Sequence, residues 1–365
     1  MAGTRLIQTV QKRLDYIDIA RALALFAVIF GHTAVRFVPQ SAAAMLGFSF
    51  VSSFHMPLFF IVSDFFMHLD KAFQLKEEVR RLIVPYLATA VTTIFLIGLS
   101  LITFKDAPAE ASIRQILLGW VNAAIYGAGD KMKDTLWPQT ERIGAIWFLL
   151  ALFWSHLIVH QAAQTGHGSI LVLAAFIIGY LSAPKVFLPF SIQPGLCASL
   201  YVYIGAVTWL HFPRIFKKTG KACLWVVLAA IWTAAIISPT IMGFATCYFG
   251  ISPLDTLLCV VGGYCGTLCV IKFSTFIESK GRFAQLLAKA GKISLLVLCI
   301  HLVEDDVLRW GTINVYFVNI VPTSVLIVIE AITRFTMDCI FSLALMKLNF
   351  ISDIFSPHVK QRNVN

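Results

Sequence analysis

The sequence predicts an all-α fold: a polytopic integral membrane protein of about ten transmembrane helices, with both termini cytoplasmic. Three observations predict it. Of 365 residues, 58% are hydrophobic and only 13% charged, with mean hydropathy +0.81, against about 45–50% and about 25% in an ordinary globular domain. The apolar residues gather into blocks long enough to cross a hydrocarbon core, separated by short charged connections. The basic residues are also unevenly placed. Drawn with both termini inside, nineteen Lys and Arg fall on inner segments and eight on outer ones, the bias expected of a cytoplasmic face.

Ten spans follow, at about 17–38, 45–68, 82–104, 144–161, 169–184, 195–212, 222–239, 252–271, 292–308 and 317–346. The fifth and ninth are short or interrupted. Residues 1–16 read as a retained cytoplasmic tail with the option of an interfacial helix, 17–347 as one membrane domain, and 348–365 as a second cytoplasmic tail. No aqueous segment is large enough to build its own core. The formal charge of +10 would suggest nucleic acid in a soluble protein; here loop placement accounts for it, so membrane lipids and not nucleic acid are the expected partners. The eight cysteines, among them Cys259, Cys265, Cys269 and Cys299, lie mostly within apolar blocks. They show no paired ligand spacing and read as packing residues, and no metal is expected.

The first two spans hold the residues that matter most. DYIDIARALALFAVIFGHTAV carries Asp18, Arg21 and His32, and FVSSFHMPLFFIVSDFFMH carries His55, Asp64 and His68. Ionisable groups at membrane depth are costly and mark functional sites by default. Arg21 and His32 are eleven residues apart, within about 20° of one helix face and roughly 16 Å apart along the axis. That spacing suits two ends of one elongated ligand. Counted in from opposite edges of a core about 30 Å thick, His32 and His55 both fall near mid-membrane. Pro57 frees a backbone carbonyl beside His55 and kinks its helix. Asp64, Lys71, Arg80 and Arg81 gather towards the cytoplasmic end, giving a pocket with imidazoles in the middle and a cationic mouth. Histidine accepts and returns a proton near neutral pH, which suits it to general-base work. Asp18 stands at i,i+3 to Arg21 and holds it for a phosphate. His301 reaches a similar cavity from the ninth span, as a supporting residue. Glu330 and Arg334 form an i,i+4 pair that neutralises itself inside the bundle or contacts substrate.

The longest outer connection, 105–143, contains Trp120, Tyr126 and Trp137. It reads either as a flap offering stacking surfaces to an acceptor or as a loop with interfacial aromatic anchors. No GxSxG, HExxH, Walker-type loop, Rossmann fingerprint or strong internal repeat is present.

Five pieces in order, DIARALALFAVIFGH, SFHMPLFFIVSDFF, RRLIVPYL, IWFLLALF and KISLLVLCIH, resemble the membrane-bound acyltransferase-3 superfamily, close to fucose 4-O-acetylase-like proteins. The resemblance implies an O-acyltransferase of the bacterial cytoplasmic membrane, moving an acyl group, usually acetyl, from cytoplasmic acetyl-CoA to a hydroxyl of a lipid-linked or cell-surface glycan. It implies His32 as the catalytic histidine, Arg21 as its required partner, and Arg80 or Arg81 near the donor with Lys71. His55 is expected to hydrogen-bond His32 or the developing oxyanion. Departures are Asp64, where a glycine is usual, and Leu296, Val297 and Cys299, where the usual ninth-span motif is altered. The membrane unit is expected to act without an appended soluble domain. A proton-coupled exporter and a non-catalytic subunit of a glycan assembly complex are the alternatives.

Overall fold

The computed structural model describes residues 14–63, 73–104, 112–217, 222–238, 240–308 and 310–356, with backbone alone for 40, 104 and 210–217. Lys71 and Asp64 lie outside the described residues. Among those described, the chain is helical, with two isolated bridges and no strand. Among the described residues, five helical stretches are long and apolar enough to cross a membrane: Asp15–Pro39, Ala42–Ser63, Leu75–Thr103, Gly144–Ala163 and Pro253–Ile277. A sixth is formed if the pair Gly281–Lys292 and Ser294–Val307, bent by 75°, counts as one.

Helix α1, Asp15–Ala34, is the axis of the molecule. Its alanines and aliphatic residues allow close approach on every side, and Asp15 and Asp18 in the first turn complement the helix dipole. Around it stand α2 (Ala42–Ser52), α3 (His55–Ser63), α11 (Pro253–Ile277), α12 (Gly281–Lys292), α13 (Ser294–Val307) and α15 (Thr323–Leu345), all of which contact it. The tightest of these contacts is at Gly291 of α12, where a Cβ would overlap the carbonyl of Asp18. A methyl there must push backbone from backbone. Gly291→Ala is therefore expected to destabilise the bundle by about 2–4 kcal/mol, read as a fall in the melting temperature of detergent-solubilised protein; an unchanged value would count against this packing.

The second predicted span is two helices. Pro57 of α3 has no N–H for the carbonyl of Ser53, and its ring crowds that carbonyl in a continuous helix. The chain breaks at Ser53–Phe54, and α3 restarts at His55. Trp232 of α10 (Ala222–Ile237) donates its indole N–H to Ser53 Oγ at 2.8 Å, tying the break to a neighbour.

The third span starts earlier than expected. A short α4, Leu75–Glu78, runs through a π-helical turn, Val79–Ile83, into α5, Val84–Phe104. The long connection at 105–143 contains α6, Ile113–Tyr126, closed by Gly127 at φ +74°, a left-handed conformation that glycine adopts without strain. Helices α7 (Trp147–Ala163), α8 (Gly168–Ser182) and α9 (Ile192–Lys217) pack on one another, and α9 also packs on α3. The bend between α12 and α13 explains the short ninth span: fourteen residues rise only about 21 Å. α14, Trp310–Phe317, and α16, Asn349–Phe355, complete the described chain. α15 carries Glu330, Arg334 and Asp338 on buried positions, so the last apolar block is the most highly charged inside.

Candidate active site

A chamber of about 690 Å³ opens in the bundle, and His32, His55, Arg36, Arg142, Asp305 and Trp310 are among the residues lining it. His32, in the last turn of α1, faces His301 of α13. Their rings lie 5.1 Å apart at 26°, and His32 Nδ1 stands 3.0 Å from His301 Nε2. His301 Nδ1 in turn stands 2.9 Å from Glu304 Oε1, its neighbour at i,i+3. A carboxylate only accepts, so His301 Nδ1 carries a hydrogen. In the uncharged pair, His301 Nε2 then accepts from His32 Nδ1–H, and the lone pair of His32 sits on Nε2. Among the described residues that nitrogen has no protein hydrogen-bond partner. A base held in one tautomer by a second group, itself held by a carboxylate, follows the logic of a catalytic triad.

His55 lines the same chamber from α3 but does not bond His32. Its Nδ1 donates to the carbonyl of Val51 at 2.6 Å, across the break that Pro57 forces. The carbonyl fixes the Nδ1–H tautomer, so uncharged His55 offers an acceptor and not an oxyanion donor. The expected hydrogen bond between His32 and His55 is absent among the described residues: both line the chamber, but His32's partner is His301.

Behind this pair lies a buried charge network. Arg334, fully buried, donates from Nε to Glu304 Oε1 at 2.7 Å and reaches Asp305 and Thr33. Its i,i+4 contact to Glu330 is longer, at 3.5 Å, so the two are parts of a larger set and not a self-contained pair. Arg36 bonds Asp305 and also Glu330, the latter at 2.9 Å; Asn314 donates to Glu330, and Trp310 to Glu304. Ligand atoms of His301, Glu304 and Asp338 come within 4.8 Å of one another, a spacing a metal ion could bridge. The Arg334 guanidinium already occupies the Glu304 oxygen, and a cation placed there would face it directly.

A second, smaller cavity of about 210 Å³ collects Arg21, Arg81, Ser63, His156 and Ser294. Arg21 pairs with buried Asp18 at 3.3 Å, as the spacing predicted. Arg81 pairs with Glu78 at 2.7 Å and places NH2 2.8 Å from His156 Nδ1, while its buried Nε has no partner. Of the two neighbouring arginines only Arg81 faces this cavity; Arg80 is exposed. The π-helical turn that carries both is a geometry frequent at functional sites.

The aromatic residues of the outer connection are placed elsewhere. Tyr126 is fully buried, donates to the carbonyl of Phe187 and packs against Trp137 with ring centroids 4.6 Å apart. Trp137 donates to Asn122 at 2.6 Å. Neither they nor Trp120 line either cavity; the chamber's indoles are Trp147 and Trp310. Arg142, Asp305, Glu304 and His156 were not foreseen as site residues. Asp305 and Glu304 had a signal, since they follow His301 within one turn in HLVEDD. His156 had only its place in an apolar helix.

Apolar helices of membrane-spanning length that enclose two polar cavities define a membrane protein with an internal site. A family model described as an acyltransferase domain, acyltransferase-3, matches residues 14–333; the chain belongs to the acyltransferase-3 family. The match spans α1 through the first half of α15 and takes in every cavity residue named above. No curated protein and no solved structure matches the chain.

Proposed function

We propose that the protein is an O-acetyltransferase with ten spans and both termini cytoplasmic, moving acetyl from cytoplasmic acetyl-CoA to a hydroxyl of a lipid-linked or surface glycan. The observation that carries this reading is the arrangement of the two cavities on shared helices. On α1, Arg21 lines the smaller cavity and His32 the chamber; on α3, Ser63 lines the first and His55 the second; on α13, Ser294 the first and Asp305 the second. Arg21 and Arg81 thus lie at one end of a shaft, and His32 and His55 at the other. The excess of basic residues on inner segments supports placing the Arg21 end at the cytoplasm.

In this reading Arg21 and Arg81 hold phosphates of the donor, Arg81 through donors that include its unpartnered Nε, and the pantetheine arm runs along α1. His32 Nε2 takes the proton of the acceptor hydroxyl as its oxygen attacks the thioester carbonyl. The new C–O bond forms, the C–S bond breaks, and the imidazolium returns its proton to the departing thiolate. His301 and Glu304 hold the tautomer and stabilise the imidazolium. His55 accepts a hydrogen bond from the acceptor and so orients it. Arg142, whose nearest carboxylate oxygen, on Asp306, is 4.0 Å away, supplies positive charge to the chamber where the oxyanion develops. Trp147 and Trp310, interleaved with Asp130 and Asp305, offer the mixture of aromatic faces and acceptors that suits a sugar ring.

Reconstituted protein supplied with acetyl-CoA and a glycan acceptor is expected to release free CoA and add an acetyl mass increment to the sugar. A transporter would move solute with the thioester intact. Arg81→Lys is expected to raise the donor KM about tenfold while leaving kcat within a fewfold, because Lys cannot reproduce the planar fork. Arg80→Lys is expected to change neither. Equal effects at the two positions would remove Arg81 from donor binding.

A further inference from the structure

Three side chains line both cavities: Phe59 of α3, Phe148 of α7 and Leu298 of α13. They come from three helices and meet at one level. Phe59 lies one turn from His55 on one side and one turn from Ser63 on the other, about 6 Å each way. Leu298 lies four residues beyond Ser294 and three before His301. The rings of Phe59 and Phe148 are 5.7 Å apart, and Phe148 and Leu298 are largely buried. Polar side chains divide on either side of this level: Arg21, Arg81, Ser63 and His156 line one cavity, and His32, His55 and Asp305 the other. An apolar level shared by the two cavities thus separates the two sets of polar side chains.

Resting on the acyl-transfer reading above, we propose that Phe59, Phe148 and Leu298 form a septum through which the acyl end of the donor is threaded. The septum admits short neutral acyl groups and rejects charged ones. The donor's cationic anchors and His32 lie on opposite sides, so the acyl group must cross this level before the thioester meets its base. An acetyl group crosses by displacing apolar contacts with others of the same kind. A succinyl group must carry a carboxylate past two phenyl rings and an isobutyl group with no hydrogen-bond partner at that level, at the cost of desolvating it. A longer neutral chain meets the width of the ring itself. The septum thereby selects acetyl over succinyl at the point of passage, leaving the wider chamber free to accommodate the acceptor.

The test is a comparison of kcat/KM for acetyl-, propionyl-, butyryl- and succinyl-CoA in reconstituted wild type, Phe148→Ala, Phe59→Leu and Phe148→Trp. Wild type is expected to prefer acetyl over succinyl about 100-fold or more. Phe148→Ala is expected to raise the butyryl-to-acetyl ratio about tenfold or more, since one or two methylenes in a fitted apolar site are discriminated by that order, and to raise the succinyl ratio with it. Phe59→Leu is expected to move both ratios in the same direction by less, and Phe148→Trp to lower acetyl turnover. Detergent melting curves show which variants are folded, and Phe59→Leu and Phe148→Trp keep an apolar side chain in the ring if Phe148→Ala does not fold. Wild type that transfers acetyl, with donor ratios unchanged in every folded variant, overturns the septum while leaving acyl transfer standing. Wild type that transfers from no acyl-CoA overturns the acyl-transfer reading and the septum together.

Discussion

His32→Ala is expected to lower acyl transfer by about 10²–10⁴-fold, the range supplied by a positioned general base, with expression and acetyl-CoA affinity retained. Donor binding is the control, because Arg21 and Arg81, the proposed donor anchors, line the other cavity. His301→Ala is expected to lower kcat more than KM, since His301 bonds His32 Nδ1 and does not itself line the chamber. His301→Gln is expected to recover part of the loss, as its amide oxygen still accepts from that nitrogen. A packing role alone would not favour Gln over Ala. His55→Ala should cost less, up to about tenfold, the worth of one hydrogen bond to a neutral group. Rapid quench with labelled acetyl-CoA and no acceptor separates direct transfer from a covalent acyl-histidine. Label held by wild type and absent from His32→Ala indicates the covalent route, and full transfer by His32→Ala would remove His32 from the chemistry.

Arg334→Leu is expected to be the most destabilising substitution in the molecule, by about 3–5 kcal/mol. Arg334 is fully buried, and its loss strands Glu304, Asp305 and Glu330 without their shared guanidinium. Arg36 pairs with two of the same carboxylates but is 27% exposed, so water screens what its removal leaves behind. Arg36→Leu should therefore cost about 1 kcal/mol or less. Thermal unfolding in detergent orders the two variants, and a melting temperature no lower for Arg334→Leu than for Arg36→Leu would contradict the network. Activity adds a second readout: Glu304 orients His301, so Arg334→Leu should slow transfer even in the fraction that stays folded.

Apolar blocks and charged connections make the helical membrane fold and most helix positions legible in the sequence. Helix periodicity also put Arg21 and His32 on one face of one helix, and the cavities contain both. Less could be read where a long-range contact decides the outcome. His301 was recognised as a neighbour of the cavity, but nothing in one sequence says that its ring would stack on a residue 269 positions away. His55 was placed at the right depth. Its partner was missed because the break at Ser53–Phe54 turns its Nδ1 onto the carbonyl of Val51. The aromatic residues of the 105–143 connection have the composition of a sugar platform, yet Tyr126 spends its hydroxyl on the distant carbonyl of Phe187 and Trp137 its indole N–H on Asn122. The π-helical turn at Val79–Ile83 has one signal in VRRLIVPYL, Pro85, which offers no N–H to the carbonyl of Arg81 and disturbs the turn before it, but nothing there specifies a π turn rather than a kink.

That turn makes the molecule sensitive to chain length at one place. A π turn holds one residue more than an α turn, so the helices on its two sides are out of phase by about 100°. α5 is anchored by its own contacts to α6 and α13, and its register would survive the loss of a residue from Val79–Ile83. With Val79 or Arg80 lost, Glu78, the last residue of α4, would swing off His156, from which it now stands 3.1 Å away, and the smaller cavity would lose its acidic brace with every side chain that lines it still present. A single in-frame codon deletion there is thus a more severe lesion than most substitutions at the same positions.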